Sequence, residues 1–88
     1  MANDFHEIAM IGDRDSVLLA KAAGLAVFAE TDGAAAARRI HRLAKGGVKV
    51  IFITEPLFAQ CGEAVEQYKR ESVPAIIPIP DSRGSTGV

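Results

Sequence analysis

The stretch Val48-Lys49-Val50-Ile51-Phe52-Ile53-Thr54, followed at once by Glu55-Pro56, constrains this chain more than any other. Its core is almost unbroken, apolar, and rich in β-branched and aromatic residues, which is how a strand buried on both faces by helices reads. Such a strand belongs in the middle of a parallel sheet. The rest of the chain must then supply strands on both sides of it and helices above and below.

The flanking sequence supplies them in alternation. His6-Glu7-Ile8-Ala9-Met10-Ile11 leads into Gly12, a strand followed by the residue that permits a tight strand-to-helix turn. Asp13, Asp15 and Ser16 can accept from the free amides of a helix start, and the carboxylates suit its positive end. A helix is expected from about Ser16 to Ala23, stopping at Gly24, with Leu18, Leu19, Ala22 and Ala23 as its apolar side. Leu25-Ala26-Val27-Phe28-Ala29 reads as a second strand. Thr31-Asp32-Gly33 then caps a helix from Ala34 to Lys45, whose apolar stripe is Ala36, Ala37, Ile40, Leu43 and Ala44 and whose end is Gly46-Gly47.

Behind the central strand, Pro56 is tolerated in the first turn of a third helix, with Thr54 or Glu55 at its cap. Phe58, Cys61, Val65 and Tyr68 recur at helical spacing there, while Glu63, Glu66, Gln67, Lys69 and Arg70 face away. After Pro74, Ala75-Ile76-Ile77-Pro78-Ile79-Pro80 is apolar enough for a fourth strand. Pro78 has no amide to give a ladder, so that strand belongs at an edge.

These elements predict an α/β fold: a four-stranded parallel sheet in the order 2-1-3-4, in a receiver-like or flavodoxin-like three-layer arrangement. Right-handed crossovers put the first helix on one face and the later helices on the other. On the first helix's side, no helix of this chain is left for strands three and four. Either Val50 and Phe52 or Ile51 and Ile53, with Ile76 or Ile77, would then form an apolar patch on the order of hundreds of Å², the kind that marks a partner site or a missing element. Residues 1–80 are read as one compact domain and residues 81–88 as a loop or tail; a helix following Val88, a partner or self-association of the chain is expected to cover the patch.

Composition narrows the function classes. Ten Lys and Arg against eleven Asp and Glu give no general affinity for polyanions, which argues against nucleic acid. Cys61 is the only cysteine, which excludes an internal disulfide and a multi-cysteine metal cage and fits a reducing, cytoplasmic-type compartment. Its place on the inward stripe reads as a structural thiol, not a reactive one. No stretch reaches the ~18 apolar residues of a membrane span.

In open parallel sheets ligands sit where the strand order reverses, here between strands one and three, in a crevice lined by Gly12, Asp13, Arg14, Asp15, Thr54 and Glu55. Asp13 and Asp15 match the acidic half of a phosphoacceptor site, but Thr54 stands where the acceptor carboxylate belongs. The same carboxylates disfavour a flavodoxin-type phosphate cradle, and helix capping is the simpler reading of them. The segment 82–87 lacks the Gly-Lys-Ser/Thr core of a phosphate loop. His6 and His41 have no carboxylate or cysteine at ligand spacing and read as exposed. Neither a cofactor nor a metal is called for. Arg38, Arg42 and Lys45 align on the second helix as a basic stripe, first of all a solvated face, and otherwise a surface for an acidic helix.

Three segments taken together resemble the F subunit of the central stalk in rotary V-type and A-type ATPases and ATP synthases. They are Ile11-Gly12-Asp13-Arg14-Asp15-Ser16-Val17-Leu18 with Gly24-Leu25-Ala26-Val27-Phe28, then Val50-Ile51-Phe52-Ile53-Thr54-Glu55, then Pro74-Ala75-Ile76-Ile77-Pro78-Ile79-Pro80 with Asp81-Ser82-Arg83-Gly84-Ser85-Thr86-Gly87. The resemblance implies a non-catalytic, receiver-like domain that binds the coiled-coil D subunit of the central stalk and turns with it, peripheral on a membrane-bound ion-translocating complex. It also implies a C-terminal helix past the Gly-Ser-Thr-Gly segment, where this chain stops. The contact residues expected are Ser82, Arg83, Gly84, Ser85 and Thr86, with Arg38, Arg42 and Lys45 as a second surface. The rival readings are a receiver-like regulatory domain without phosphotransfer and, behind it, a flavin- or nucleotide-binding protein.

Overall fold

A computed structural model describes residues 7–81 as β1 (Ile8–Gly12), α1 (Arg14–Ala22), β2 (Ala26–Ala29), α2 (Gly33–Lys45), β3 (Val50–Thr54), α3 (Glu55–Gln60), α4 (Gly62–Glu71) and β4 (Ala75–Ile79). The strands form one all-parallel sheet in the order β2-β1-β3-β4, as the alternation of elements predicts. β3 lies inside it, and the proline-bearing β4 lies at an edge.

Register decides which side chains share a face. Ala9 and Ile11 stand opposite Ile51 and Ile53, and Ile51 stands opposite Ile76, so all five point to one side. Onto that side α2, α3 and α4 press Ala36, Ile40, Leu57, Cys61, Ala64 and Tyr68, which form the buried core with Ala9, Ile11, Ile51 and Ile53, and Ile76 packs against it. Ile11, Ile40, Ile51 and Ile53 are fully buried. Each such side chain contributes roughly 1.5–3 kcal/mol by leaving water, before the entropy of ordering it is set against that gain.

The caps work as the sequence suggests on α2, where the Asp32 carboxylate accepts from the Ala35 amide at 3.0 Å. Past its end, Gly47 takes φ 93°, a left-handed conformation that side chains resist, and this turns the chain into β3.

Two expectations are corrected. The third helix is two: α3 and α4 meet at Cys61, whose φ of −109° leaves the helical region and whose amide bonds the Phe58 carbonyl at 3.1 Å, a tight last turn. Gly62, a poor helix former, stands at the break. The inward stripe of Phe58, Cys61, Val65 and Tyr68 survives, with Cys61 and Tyr68 buried and Leu57 and Ala64 joining them.

The phase of α1 also differs. Asp13 accepts from both the amide of Ser16 (3.1 Å) and its hydroxyl (2.6 Å), which fixes the first turn so that Ser16 and Val17 face the sheet. Leu18 and Leu19 consequently point outward, 57% and 78% exposed, and Ala22 and Ala23 are exposed as well.

α1 packs on β1 and β2. Among the described residues no helix covers β3 and β4 from that side, and the register names the stripe left there: Ile8, Val50, Phe52 and Ile77. Ile8 and Ile77 are each 39% exposed, and Val50 and Phe52 are half-buried. The under-covered face is real within residues 7–81.

Candidate functional site

At the carboxyl ends of β1 and β3, where the strand order reverses, the structure has a crevice of about 330 Å³. Asp13, Asp15 and Thr54 line it as the sequence predicts, joined by Glu30, Gln60 and Asp81. Among the described residues no lining side chain is basic, and Arg14 is exposed instead of turned inward. A phosphate entering here would meet the carboxylates of Asp13, Asp15, Glu30 and Asp81, and that negative charge disfavours it.

The individual groups are already occupied with structure. Asp13 serves the α1 cap through its two bonds to Ser16. Thr54, at the position of a receiver's acceptor, is 2% exposed and packs against Gly12 so closely that a Cβ on Gly12 would stand 2.6 Å from Thr54 Cγ2. Gly12 is therefore required by this contact and not by a left-handed turn, which among the described glycines only Gly24 and Gly47 adopt. Gln60 Oε1 accepts from the Gly33 amide at 3.0 Å, tying the end of α3 to the start of α2. Among the described residues, no group of three or more His, Cys, Asp or Glu is placed to hold a metal ion.

A second concavity, about 940 Å³, is an open recess along α3 and α4, where Glu63, Glu66, Arg70 and Glu71 alternate around Phe58 and Val65. Glu63, Glu66, Arg70 and Glu71 are all exposed, and Gln67 bonds Glu71 at 3.4 Å.

The Cys61 thiol is buried and donates to the Gly33 carbonyl at 3.5 Å. Burial, with the Asp32 charge adding to it, pushes the thiol above its ordinary value. That is the setting of an inert cysteine. Tyr68 is likewise raised, by burial first and by Glu71 second.

The basic stripe on α2 is where the sequence puts it: Arg38, Arg42 and Lys45 stand on the outer side of the helix, Arg38 and Arg42 exposed and Lys45 at its last turn. Arg38 and Arg42 border a shallow recess that also holds Arg39 and Glu30. Arg39 does not stand out in the sequence. Its guanidinium pairs with Glu30 at 3.1 Å and lies 4.5 Å over the Phe28 ring, so it braces α2 against β2. Its place beside the apolar stripe, between Ala36 and Ile40, is the available signal. His41 is exposed as expected, yet its Nδ1 lies 2.8 Å from the Tyr68 hydroxyl, a bridge between α2 and α4. Ser82, Arg83, Gly84, Ser85 and Thr86, and also His6, lie outside the described residues.

Among the described residues no helix is long and apolar enough to cross a membrane. Residues 8–88 match the family of the ATP synthase (F/14-kDa) subunit. The chain is 41% identical over 83 residues to the F subunit of a V-type ATP synthase from Fusobacterium nucleatum, covering 94% of this chain and 79% of that protein. It is 38% identical over 84 residues to the protein of the same name from Clostridium perfringens, covering 96% and 80%, and 37% identical to one from Clostridium botulinum, covering 96% and 82%.

Proposed function

Because this chain belongs to the family of ATP synthase F subunits, we propose that it is a non-catalytic central-stalk subunit of a V-type rotary ATPase or ATP synthase. In this reading it grips the coiled-coil D subunit that forms the shaft, and helps transmit torque or regulate ATP hydrolysis during ion transport. It acts peripherally on the membrane complex, on the cytoplasmic side, and ATP is handled by other subunits.

The family match along residues 8–88 is the observation that carries the reading. The crevice supports its non-catalytic part: Asp13 caps a helix, Thr54 is packed shut, and among the described residues no basic side chain lines the space to receive a phosphate. In this reading the domain acts through surfaces, and binding energy has to come from apolar anchors and complementary charge. Arg38, Arg42 and Lys45 are the proposed basic surface, and Ser82, Arg83, Gly84, Ser85 and Thr86 the proposed contact loop.

The test is binding of the full chain to the purified D subunit at two salt concentrations. Reversing Arg38, Arg42 and Lys45 to glutamate is expected to weaken binding about tenfold or more at low salt and less at high salt. Replacing Arg83 and Thr86 with alanine is expected to weaken it at both. Unchanged affinity in either variant removes that surface, and no binding of the parent chain removes the shaft role.

A further inference from the structure

We propose that Pro78 and Pro80 close the β4 edge of the sheet to strand addition, so that a partner chain meeting the domain on that side docks on its faces and helices and does not extend the sheet there. Strand parity decides which groups face the edge. In a parallel ladder the amide and carbonyl of one residue point to the same side, and successive residues alternate sides. The Ala75 amide donates to the Lys49 carbonyl at 2.9 Å, so Ala75, Ile77 and Ile79 direct their polar groups inward to β3. Ile76 and Pro78 therefore face outward, and Pro80, the next residue of that parity, continues the row. Of these three outward positions only Ile76 carries an N–H. A strand arriving at this edge finds one donor where an ordinary sequence would offer three.

The opposite edge shows that this is not general to the sheet. There the Glu30 amide donates to the Gly12 carbonyl at 2.9 Å, which by the same alternation turns Val27 and Ala29 outward, and both keep their amides. β4 is also the edge with more need of closure. It is apolar along its length, its Ile77 is 39% exposed, and it borders the face that α1 leaves bare. An exposed apolar edge with a full set of donors is a template for association with other chains, and proline at the outward positions is a direct way to spoil it.

Hydrogen exchange on the full chain tests the parity without any substitution. The Ile76 amide is expected to exchange at the rate of a free amide, while Ile77 and Ile79 are protected; Ile76 protected as strongly as Ile77 overturns the proposal. Sedimentation of the double variant Pro78→Val, Pro80→Val tests the consequence. The folded variant is expected to self-associate at a concentration about tenfold or more below that of the parent, since two outward ladder donors are restored. A folded variant that sediments as the parent does overturns it. Should the double variant not fold, the exchange of Ile76 decides alone.

Discussion

The two faces of this sheet are made of the same residue types and have opposite fates. On one, Ile51 and Ile53 disappear beneath α2, α3 and α4; on the other, Phe52 and Ile77, one residue out of phase, stay partly in water beside a helix that reaches only β1 and β2. Burial here is decided by the crossover that carries a helix to one side, not by the hydrophobicity of the strand. Stability can therefore be apportioned: the covered face holds the fold, and among the described residues the other face is left open.

Substitutions can break that division. Ile53→Ala on the covered face is expected to cost about 3–4 kcal/mol in urea denaturation, through lost burial and the cavity left behind. A cost under about 1 kcal/mol would mean that the covered face is loosely packed. Gly12→Ala tests a tight spot at the carboxyl end of the other face, where the new Cβ would meet Thr54 Cγ2 at 2.6 Å. About 2 kcal/mol is expected to be lost and largely regained in the double variant with Thr54→Ser, which removes that methyl. Failure of the second change to rescue the first would put the strain elsewhere.

Alkaline pH probes the covered face again, more gently. Burial holds the Cys61 and Tyr68 protons more tightly in the folded chain than in the unfolded one, where the ordinary values are 9.0 and 10.0. Above those values the unfolded chain releases protons that the folded chain keeps, so stability is full below about pH 9 and falls as the pH rises further. The urea midpoint is expected to drop between about pH 9 and 11, and Cys61→Ala is expected to remove part of the slope. A flat midpoint would contradict the burial of both groups. The smallest effect belongs to the bare face: Ile77→Ser in the isolated chain is expected to change stability by about 0.5 kcal/mol or less. A loss comparable to that of Ile53→Ala would show that the face is covered after all.

Much of this is legible in the sequence, for reasons that can be named. Val48 to Thr54 announces a central strand because both its neighbours and its helices have to be apolar, and Pro78 announces an edge because a missing amide cannot be hidden inside a ladder. The phase of α1 is not legible in the same way, because Leu18 and Leu19 outweigh Val17 in any hydrophobicity count. The actual phase depends on a local event, the Asp13 carboxylate closing on Ser16. The break at Cys61 is hidden because an inward stripe keeps its spacing across a kink. The bracing of Arg39 against Phe28 and Glu30, and of His41 against Tyr68, joins residues far apart in the chain, which no local pattern encodes.

The central claim, that this domain works by being held in a rotary ATPase, is tested most directly by affinity purification of the tagged full chain from source-cell membranes, with the captured subunits quantified. The account predicts recovery of the large nucleotide-hydrolysing subunits and the shaft subunit in fixed proportion to the chain. Recovery of the chain without them would contradict it.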